Sequence, residues 1–361
     1  VAGSSLARHL PPATFDQAPS HTVPIYQYIL RRLVLTIPLL FGITLIAFVI
    51  SHAVPADPVT ANLGQKAMSD PKIVAAFRAE WGLDKPVVEQ YVVYLTNLLQ
   101  GDLGRSIKSR RPVTEDLKAF LPATIELATT AILFGIVIGL LLGILSAVRR
   151  NSWLDHGARV MSLLGVSVPV FWLALLALFI FYSRLGWFAG PGRIDVGMEV
   201  PARVTGLLTV DALLAGDWAA FRNVLSHLLL PALVLGSYTT GLITRVTRSG
   251  MLEVLGQDYI RTAYAKGLTT RTTIWRHAFR NTLIPVITVI GFSYGSLLAG
   301  AVLTESIFAW PGIGQYAYRA STSLDFPAIM GVSMLIALIF IGINLIVDVL
   351  YFVLDPRLRA S

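Results

Sequence analysis

The sequence predicts an all-α membrane protein with six transmembrane helices, both termini on the inner side and a long extracytoplasmic loop after the first helix. Three observations carry that expectation. Of 361 residues, 55% are hydrophobic and only 14% charged, with a mean hydropathy of +0.67, whereas a soluble domain carries roughly a quarter charged residues. Six stretches are apolar over the roughly 20 residues that a helix needs to cross about 30 Å of hydrocarbon, where no bare backbone group is tolerated. Basic residues, finally, are divided unevenly between alternate connections, as lysine and arginine are when they collect on the inner side of a membrane.

Residues 1–24 are rich in Pro, Ser, Ala and His and contain no apolar run, so a disordered cytoplasmic tail is expected there. The first transmembrane unit, residues 25–50, has its apolar core from Val34 to Ile50, preceded directly by Arg31 and Arg32. No small-residue cleavage site follows convincingly, and the segment reads as an uncleaved anchor. The loop 51–122 is long enough to fold locally. Within it, Val88, Tyr91, Val92, Leu95, Leu98 and Leu99 recur at helical spacing after Pro86 and stop at Gly101-Asp-Leu-Gly104, which predicts an amphipathic helix against the outer face. A five-helix core is expected over 123–354, with spans Ala123–Val148, Val160–Tyr182, Val224–Val246, Asn281–Leu303 and Ala328–Leu354, before a cytoplasmic tail at 355–361.

Charge sets the orientation. With the N-terminus inside, the inner segments hold fifteen basic and five acidic residues, and the outer segments hold fourteen of each. Nine of the outer basic residues lie in the first outer loop, and a loop of that length is translocated regardless of charge. The overall +8 is therefore a cytoplasmic excess and does not call for nucleic acid.

The inner segment 245–280 is the most informative. Its 36 residues include seven basic and two acidic ones. Leu252, Leu255, Tyr259 and Ala263 share one helical face, Gly267 interrupts the pattern, and Ile274, Trp275, Ala278 and Phe279 form a second apolar stripe. That spacing describes a helix, a glycine turn and a helix, with stripes to be buried against the bilayer or a cytoplasmic partner. The second outer loop, Leu185 to Asn223, suggests no chemistry. In the third, Trp310 is expected at the membrane–water interface and Pro311-Gly312 as a turn.

Catalytic chemistry finds little support. There is no cysteine, hence no disulfide, thiol nucleophile or thiolate metal site. The six histidines are scattered, without the i, i+4 pair that places two imidazoles on one helical face. No G-x-x-x-x-G-K-[ST] is present, so nucleotide hydrolysis would need another polypeptide. Gly291-Phe-Ser-Tyr-Gly295 matches the G-x-S-x-G pattern, but a nucleophile elbow needs a strand-to-helix turn. Inside an apolar span, Gly291 and Gly295 read as close helix packing, as do Gly135, Gly139 and Gly143 in the second span. Glu126 reads as a structural carboxylate at the positive end of a helix. Asp348, near the inner end of the last span, needs a cation, with Arg31 and Arg32 the candidates. Pro38, Pro169, Pro231 and Pro285 interrupt spans, as in helices that bend or line a pathway.

The inner segment resembles the cytoplasmic signature loop of permease subunits of binding-protein-dependent ABC importers. The general pattern there is Glu-Ala-Ala, three residues, Gly, nine residues, then Ile-x-Leu-Pro. Here Arg261-Thr262-Ala263 and Gly267 occupy the first part and His277-Ala-Phe-Arg280 the last, without the glutamate, isoleucine or proline. Asp258-Tyr-Ile-Arg-Thr-Ala-Tyr-Ala-Lys-Gly267 and Arg276-His-Ala-Phe-Arg-Asn281 closely resemble the variant of the dipeptide, oligopeptide and nickel branch. Gln100-Gly-Asp-Leu-Gly-Arg-Ser106, Leu121-Pro-Ala-Thr124, Thr304-Glu-Ser-Ile-Phe-Ala-Trp-Pro-Gly-Ile-Gly314 and Asp355-Pro-Arg-Leu-Arg359 agree with that branch over roughly Ile25 to Arg359.

The resemblance implies a type I ABC importer permease fold in a bacterial or archaeal plasma (inner) membrane. It implies a heterodimer with a second homologous permease subunit, two cytoplasmic ATPase subunits that bind ATP and Mg, and an extracytoplasmic substrate-binding protein, with no cofactor in this chain. Asp258, Tyr259, Arg261, Thr262, Ala263, Ala265, Lys266 and Gly267 would form the coupling helix that meets the ATPase. Di- or oligopeptides are the leading substrate, with nickel chelates, haem-like cargo or saccharides as alternatives. The rival readings are an ATP-independent secondary transporter or channel, which would show inverted repeats or a midplane charge pair, and a membrane enzyme, for which no nucleophile, base or metal set is found.

Overall fold

The computed structural model describes residues 25–53, 57–63 and 65–354; the two expected tails, 1–24 and 355–361, lie outside them. Among the described residues there is no β-strand, only an isolated bridge between Arg105 and Pro112. The helix α1 (Ile25–Ala53) leads to a cluster on the first long connection: α2 (Pro58–Asn62), α3 (Gln65–Met68), α4 (Pro71–Glu80) and α5 (Val87–Leu99). Asp57 and Asp70 accept backbone N–H groups at the starts of α2 and α4, which satisfies donors that a helix start otherwise leaves bare. Val59, Phe77 and Ile107 form this cluster's small core. No residue of α5 is fully buried. Its Tyr91 lies against Phe41 and Phe48 of α1, and the Tyr91 hydroxyl meets that of Thr44 at 3.2 Å.

The body follows with α6 (Val113–Val148), α7 (Trp153–Ser167), α8 (Val170–Ala177, continued by π-helical Leu178–Arg184), α9 (Leu208–Leu214), α10 (Trp218–Leu255) and α11 (Asp258–Ala265). Next, α12 (Thr270–Thr272) runs through π-helical Thr273–Phe279 into α13 (Arg280–Leu298), before α14 (Val302–Ile307), α15 (Ile313–Thr322) and α16 (Phe326–Leu354). Among the described residues, five helices are long and apolar enough to cross a membrane: Ile29–Ala53, Val113–Val148, Trp218–Leu255, Thr270–Leu298 and Phe326–Tyr351.

The sixth expected span, Val160–Tyr182, is not continuous: α7 and α8 meet at 103°. Val168 at the joint is extended, with φ −78° and ψ 127°, because the ring of the following proline clashes with a helical backbone. Pro38, Pro231 and Pro285, in contrast, sit inside unbroken helices. The expected Asn281–Leu303 span ends instead at Leu298. Gly300 then turns the chain at φ +110°, where a Cβ would lie 2.9 Å from the Cα of Gly314.

The long helices α6 and α10 form the central pair, and glycines set their spacing. A Cβ at Gly139 would lie 2.8 Å from Ile243 Cβ, and one at Gly143 2.6 Å from Thr247 Cβ; at Gly135 it would collide with the Thr239 hydroxyl. On the other flank α7 closes on α10, where a Cβ at Gly165 would meet the Ser237 carbonyl at 2.6 Å and one at Gly241 the Ser162 carbonyl at 2.8 Å. The Ser162 hydroxyl donates to the Gly241 carbonyl at 2.7 Å. Lipid offers no hydrophobic gain for helix association, so contact between backbones and such hydrogen bonds must supply it. At α13 and α16, a Cβ at Gly291 would collide with Val347, while one at Gly295 would make ordinary contact with Phe340.

Gly139→Val is accordingly expected to lower the stability of the purified protein by about 1–3 kcal/mol through overpacking. Thermal unfolding in detergent measures this. A midpoint equal to that of the parent would mean that α6 and α10 separate freely.

The polar residues expected to need partners have them. Arg32 donates to Asp348 at 3.1 Å and so joins α1 to α16. Glu126 lies well inside α6, which begins at Val113, and not in the first turn of a helix. It is buried.

Candidate functional site

Two polar assemblies lie at opposite ends of the helix bundle. One surrounds α11. There α10 ends at Leu255, Gly256 caps it, and Asp258 starts α11 in the first turn, where the helix dipole favours an anion. Only Ile260 and Ala263 of α11 are buried. They pack against Ile144 and Ala147 of α6, Met251 of α10 and Ala278. The helix ends in a Schellman arrangement: Leu268 N–H reaches the Ala263 carbonyl at 3.2 Å and Gly267 N–H the Tyr264 carbonyl at 2.9 Å, with Gly267 at φ +78°. A residue with a side chain resists that left-handed conformation, so glycine is the natural stop.

The eight residues singled out in sequence thus divide. Asp258, Tyr259, Arg261, Thr262, Ala265, Lys266 and Gly267 are exposed, whereas Ala263 faces inward. Of the expected apolar stripe only Ala263 of α11 turns inward, beside Ile260, while Tyr259 is exposed, so the face left open carries charged residues together with aromatic ones. Tyr264, Leu268 and Trp275, which the periodicity did not single out as a surface, are exposed beside it. Asn281 donates to the Tyr259 hydroxyl at 2.6 Å and to the His277 carbonyl at 3.2 Å, fastening α11 to the first turn of α13. The Asp258–Arg261 pair, 3.5 Å apart, is almost fully exposed and contributes little to stability.

At the same end of α6 and α10 sits Asp155, which is fully buried. Arg248 of α10 donates to both its oxygens, Nε at 2.7 Å and Nη2 at 2.9 Å. The Ser146 hydroxyl of α6 adds a bond of 2.6 Å, and Asn151 N–H one of 3.0 Å. A paired guanidinium with further donors is what a buried carboxylate requires. Nothing in the hydropathy pattern reveals this hub, but Ser152-Trp-Leu-Asp155 carries the spacing of a capping box.

The second assembly gathers around α14 and α15. Glu305 is fully buried; one oxygen accepts from the Thr124 hydroxyl at 2.8 Å and the other from Gln315 N–H at 2.8 Å. Ile313 N–H donates to Thr124 Oγ1 at 2.7 Å. Together they satisfy the bare N–H groups that begin α15. Burial pushes the Glu305 carboxyl above the usual range, and the bonds from Gln315, Thr124 and Gly314 only partly offset it. Gly312 and Gly314 leave the necessary room: a Cβ at Gly312 would collide with the carboxylate, and one at Gly314 would lie 3.0 Å from it.

Trp310, expected at the membrane interface, is instead fully buried, and its indole donates to the Ala123 carbonyl at 2.8 Å. Arg193 stacks over that indole at 5.4 Å while pairing with Glu126 at 2.5 Å. Thr209 donates to the same carboxylate through N–H and hydroxyl, each at 2.7 Å. Pro122 lacks the N–H that would bond the Lys118 carbonyl, and Arg203 donates to that carbonyl at 2.6 Å instead. The second outer loop, from which the sequence suggested no chemistry, therefore supplies Arg193, Arg203 and Thr209 to fasten α6.

Ser293 lies within α13 with its hydroxyl buried and unbonded, not on a strand-to-helix turn. Among the described residues no group of three His, Cys, Asp or Glu side chains can hold a metal.

Residues 139–360 match the family model described as binding-protein-dependent transport system inner membrane component. Residues 25–128 match the model of the N-terminal part of such membrane components. The chain is 47% identical over 317 residues to the probable D,D-dipeptide transport system permease protein DdpB of Escherichia coli K12, covering 88% of this chain and 93% of that one. It is 44% identical to the di/tripeptide transport system permease protein DppB of Pseudomonas aeruginosa, over 92% of this chain and 98% of the relative. Its identity to the dipeptide transport system permease protein DppB of E. coli K12 is also 44%, with the same coverage of each chain. A solved structure of the MetNI methionine ABC transporter in an inward-facing conformation aligns with 66% of the chain, at a TM-score of 0.48 and 16% identity.

Proposed function

Because the chain belongs to the family of binding-protein-dependent transport system inner membrane components, we propose that it forms half of the translocation pathway of an ATP-driven importer of di- or oligopeptides. The peptide class follows from the names of the relatives, which share 44–47% of their residues with this chain over nearly their whole length. As a permease subunit it is not an enzyme. ATP and Mg belong to two cytoplasmic ATPase subunits, cargo arrives on an extracytoplasmic binding protein, and a second homologous permease completes the pathway. Both termini and α11 face the cytoplasm of a bacterial cell, in keeping with the basic excess of the inner segments.

The observation that carries the coupling role is α11 itself. It is a short helix, held by Ile260 and Ala263 on the inner ends of α6 and α10, that presents an open face of charged and aromatic residues ending at the Gly267 turn. A cleft on the ATPase would take Asp258, Tyr259, Arg261, Thr262, Ala265, Lys266 and Gly267. Ala263 would serve from the inner side, seating the helix. Closure of the ATPases on ATP then moves α11, and the helices fixed to it shift between two packings; no catalytic residue is needed here.

The test is reconstitution in vesicles. Labelled dipeptide is expected to accumulate only when the second permease, the ATPases, the loaded binding protein and ATP are all present. Accumulation by the purified chain alone would overturn this reading in favour of a secondary transporter or channel.

A further inference from the structure

Asp155 has no place in the coupling surface, yet it is the most fully engaged carboxylate at that end of the molecule. It joins three elements: Arg248 reaches it from α10, Ser146 from the last turns of α6, and its own backbone begins α7. Arg248 lies two helical turns before the end of α10, and Met251, one turn further on, is in the core that seats Ile260 of α11. The inner ends of α6, α10 and α11 are thus one packed block. The first turn of α7 joins that block through this carboxylate, while its later turns pack on α10 at Gly165 and Ser162. Farther along, α7 bends at Pro169 into α8, whose Ala174 and Ala177 pack with Phe308, next to the outer assembly.

We propose that the Asp155–Arg248 pair is the joint through which displacement of α11 reaches α7, and that both are positioning residues for transport. The proposal rests on the coupling reading above. Two parallel bonds from a planar guanidinium fix distance and angle together, whereas an ammonium fixes neither. The buried carboxylate makes the joint stiff. Separating it from the guanidinium would leave the buried carboxylate with only the longer, 3.7 Å ion pair to half-exposed Arg159 of α7 itself, so α7 has to follow α10 where a looser contact would let it slip. Coupling through such a chain needs a demonstrated displacement at both ends.

The absence of cysteine from the sequence makes the measurement direct. In the complete complex with cysteine-free partners, spin labels are placed in pairs: Glu253→Cys with Val34→Cys to report the block, and Gly157→Cys with Val34→Cys to report α7. Glu253, Gly157 and Val34 are exposed, and a side chain at Gly157 meets nothing within 4 Å. In the parent complex both distances change when ATP binds. In Asp155→Asn the change at 253 persists and the change at 157 shrinks to about half or less, while peptide taken up per ATP hydrolysed falls about fivefold. Arg248→Lys, which keeps the charge but not the fork, gives a smaller loss of the same kind and serves if Asp155→Asn fails to assemble. A parental change at 157 in both variants would overturn the joint and leave the coupling reading intact. No change at 253 in the parent would overturn the coupling reading, and the joint with it.

Discussion

Gly267→Pro is expected to abolish ATP-dependent uptake while leaving the chain inserted in the membrane. Proline holds φ near −65°, whereas Gly267 stands at +78° and donates its N–H to the Tyr264 carbonyl. The substitution therefore removes both the conformation and the hydrogen bond that end α11. The residues between Ala265 and α12 must then leave along another path, and the open face of α11 loses its position relative to α6 and α10. Insertion is unaffected because the apolar spans on either side are unchanged. Alanine at the same position separates backbone from bulk. Its Cβ would meet nothing within 4 Å, so its cost is the left-handed backbone alone, about 1–2 kcal/mol. Asparagine visits that conformation more readily. Uptake in vesicles should rank glycine, asparagine, alanine, proline, with membrane fractionation showing equal insertion. Parental uptake by the proline variant would remove Gly267 and α11 from the coupling mechanism.

Much of the architecture is legible in the sequence because lipid imposes a single demand on backbone, and apolar runs of helical length answer it. The α7–α8 bend escapes this logic. Hydropathy records how much of a segment is apolar and carries no angle, so Val160–Tyr182 reads as one span although it turns by 103°. The proline is visible, but Pro38, Pro231 and Pro285 show that a proline inside an apolar run can leave its helix unbroken. Beside α11, the Gly267 turn is readable as a break in periodicity. What periodicity does not convey is which side of α11 remains free: Ile260 and Ala263 are taken by the chain's own core. The assembly around α14 and α15 is hidden more deeply. Glu305 and Thr124 are 181 residues apart, and no local pattern tells a buried carboxylate from one on the surface. Trp310 illustrates the same point. Its amphipathic ring suits an interface, but its burial comes from distant partners: the core it shares with Leu127, Leu228 and Leu235, the Ala123 carbonyl and Arg193.

Glu305→Ala is expected to lower the stability of the purified complex by about 3–5 kcal/mol, from a cavity and from donors left without an acceptor. The Thr124 hydroxyl and Gln315 N–H lose their partner, in a fully buried site where Gly312 and Gly314 lie close around the carboxylate. Glu305→Gln should cost less. Its carbonyl can still accept from Gln315, and its amide can donate to Thr124 if the hydroxyl turns. The two variants also differ in their dependence on pH. Burial raises the folded carboxyl above its unfolded value of 4.5, so the folded state holds this proton more tightly than the unfolded chain. The stability due to that proton is fully present below the unfolded value and is lost as pH rises through the folded one. Thermal unfolding midpoints taken from acid to neutral pH should show this decline in the parent and its removal in Glu305→Gln. A parent and a glutamine variant with parallel pH profiles would show that Glu305 is ionised as readily inside the protein as outside it. An alanine variant that melts with the parent would show that α14 and α15 do not depend on this carboxylate to stay closed against α6.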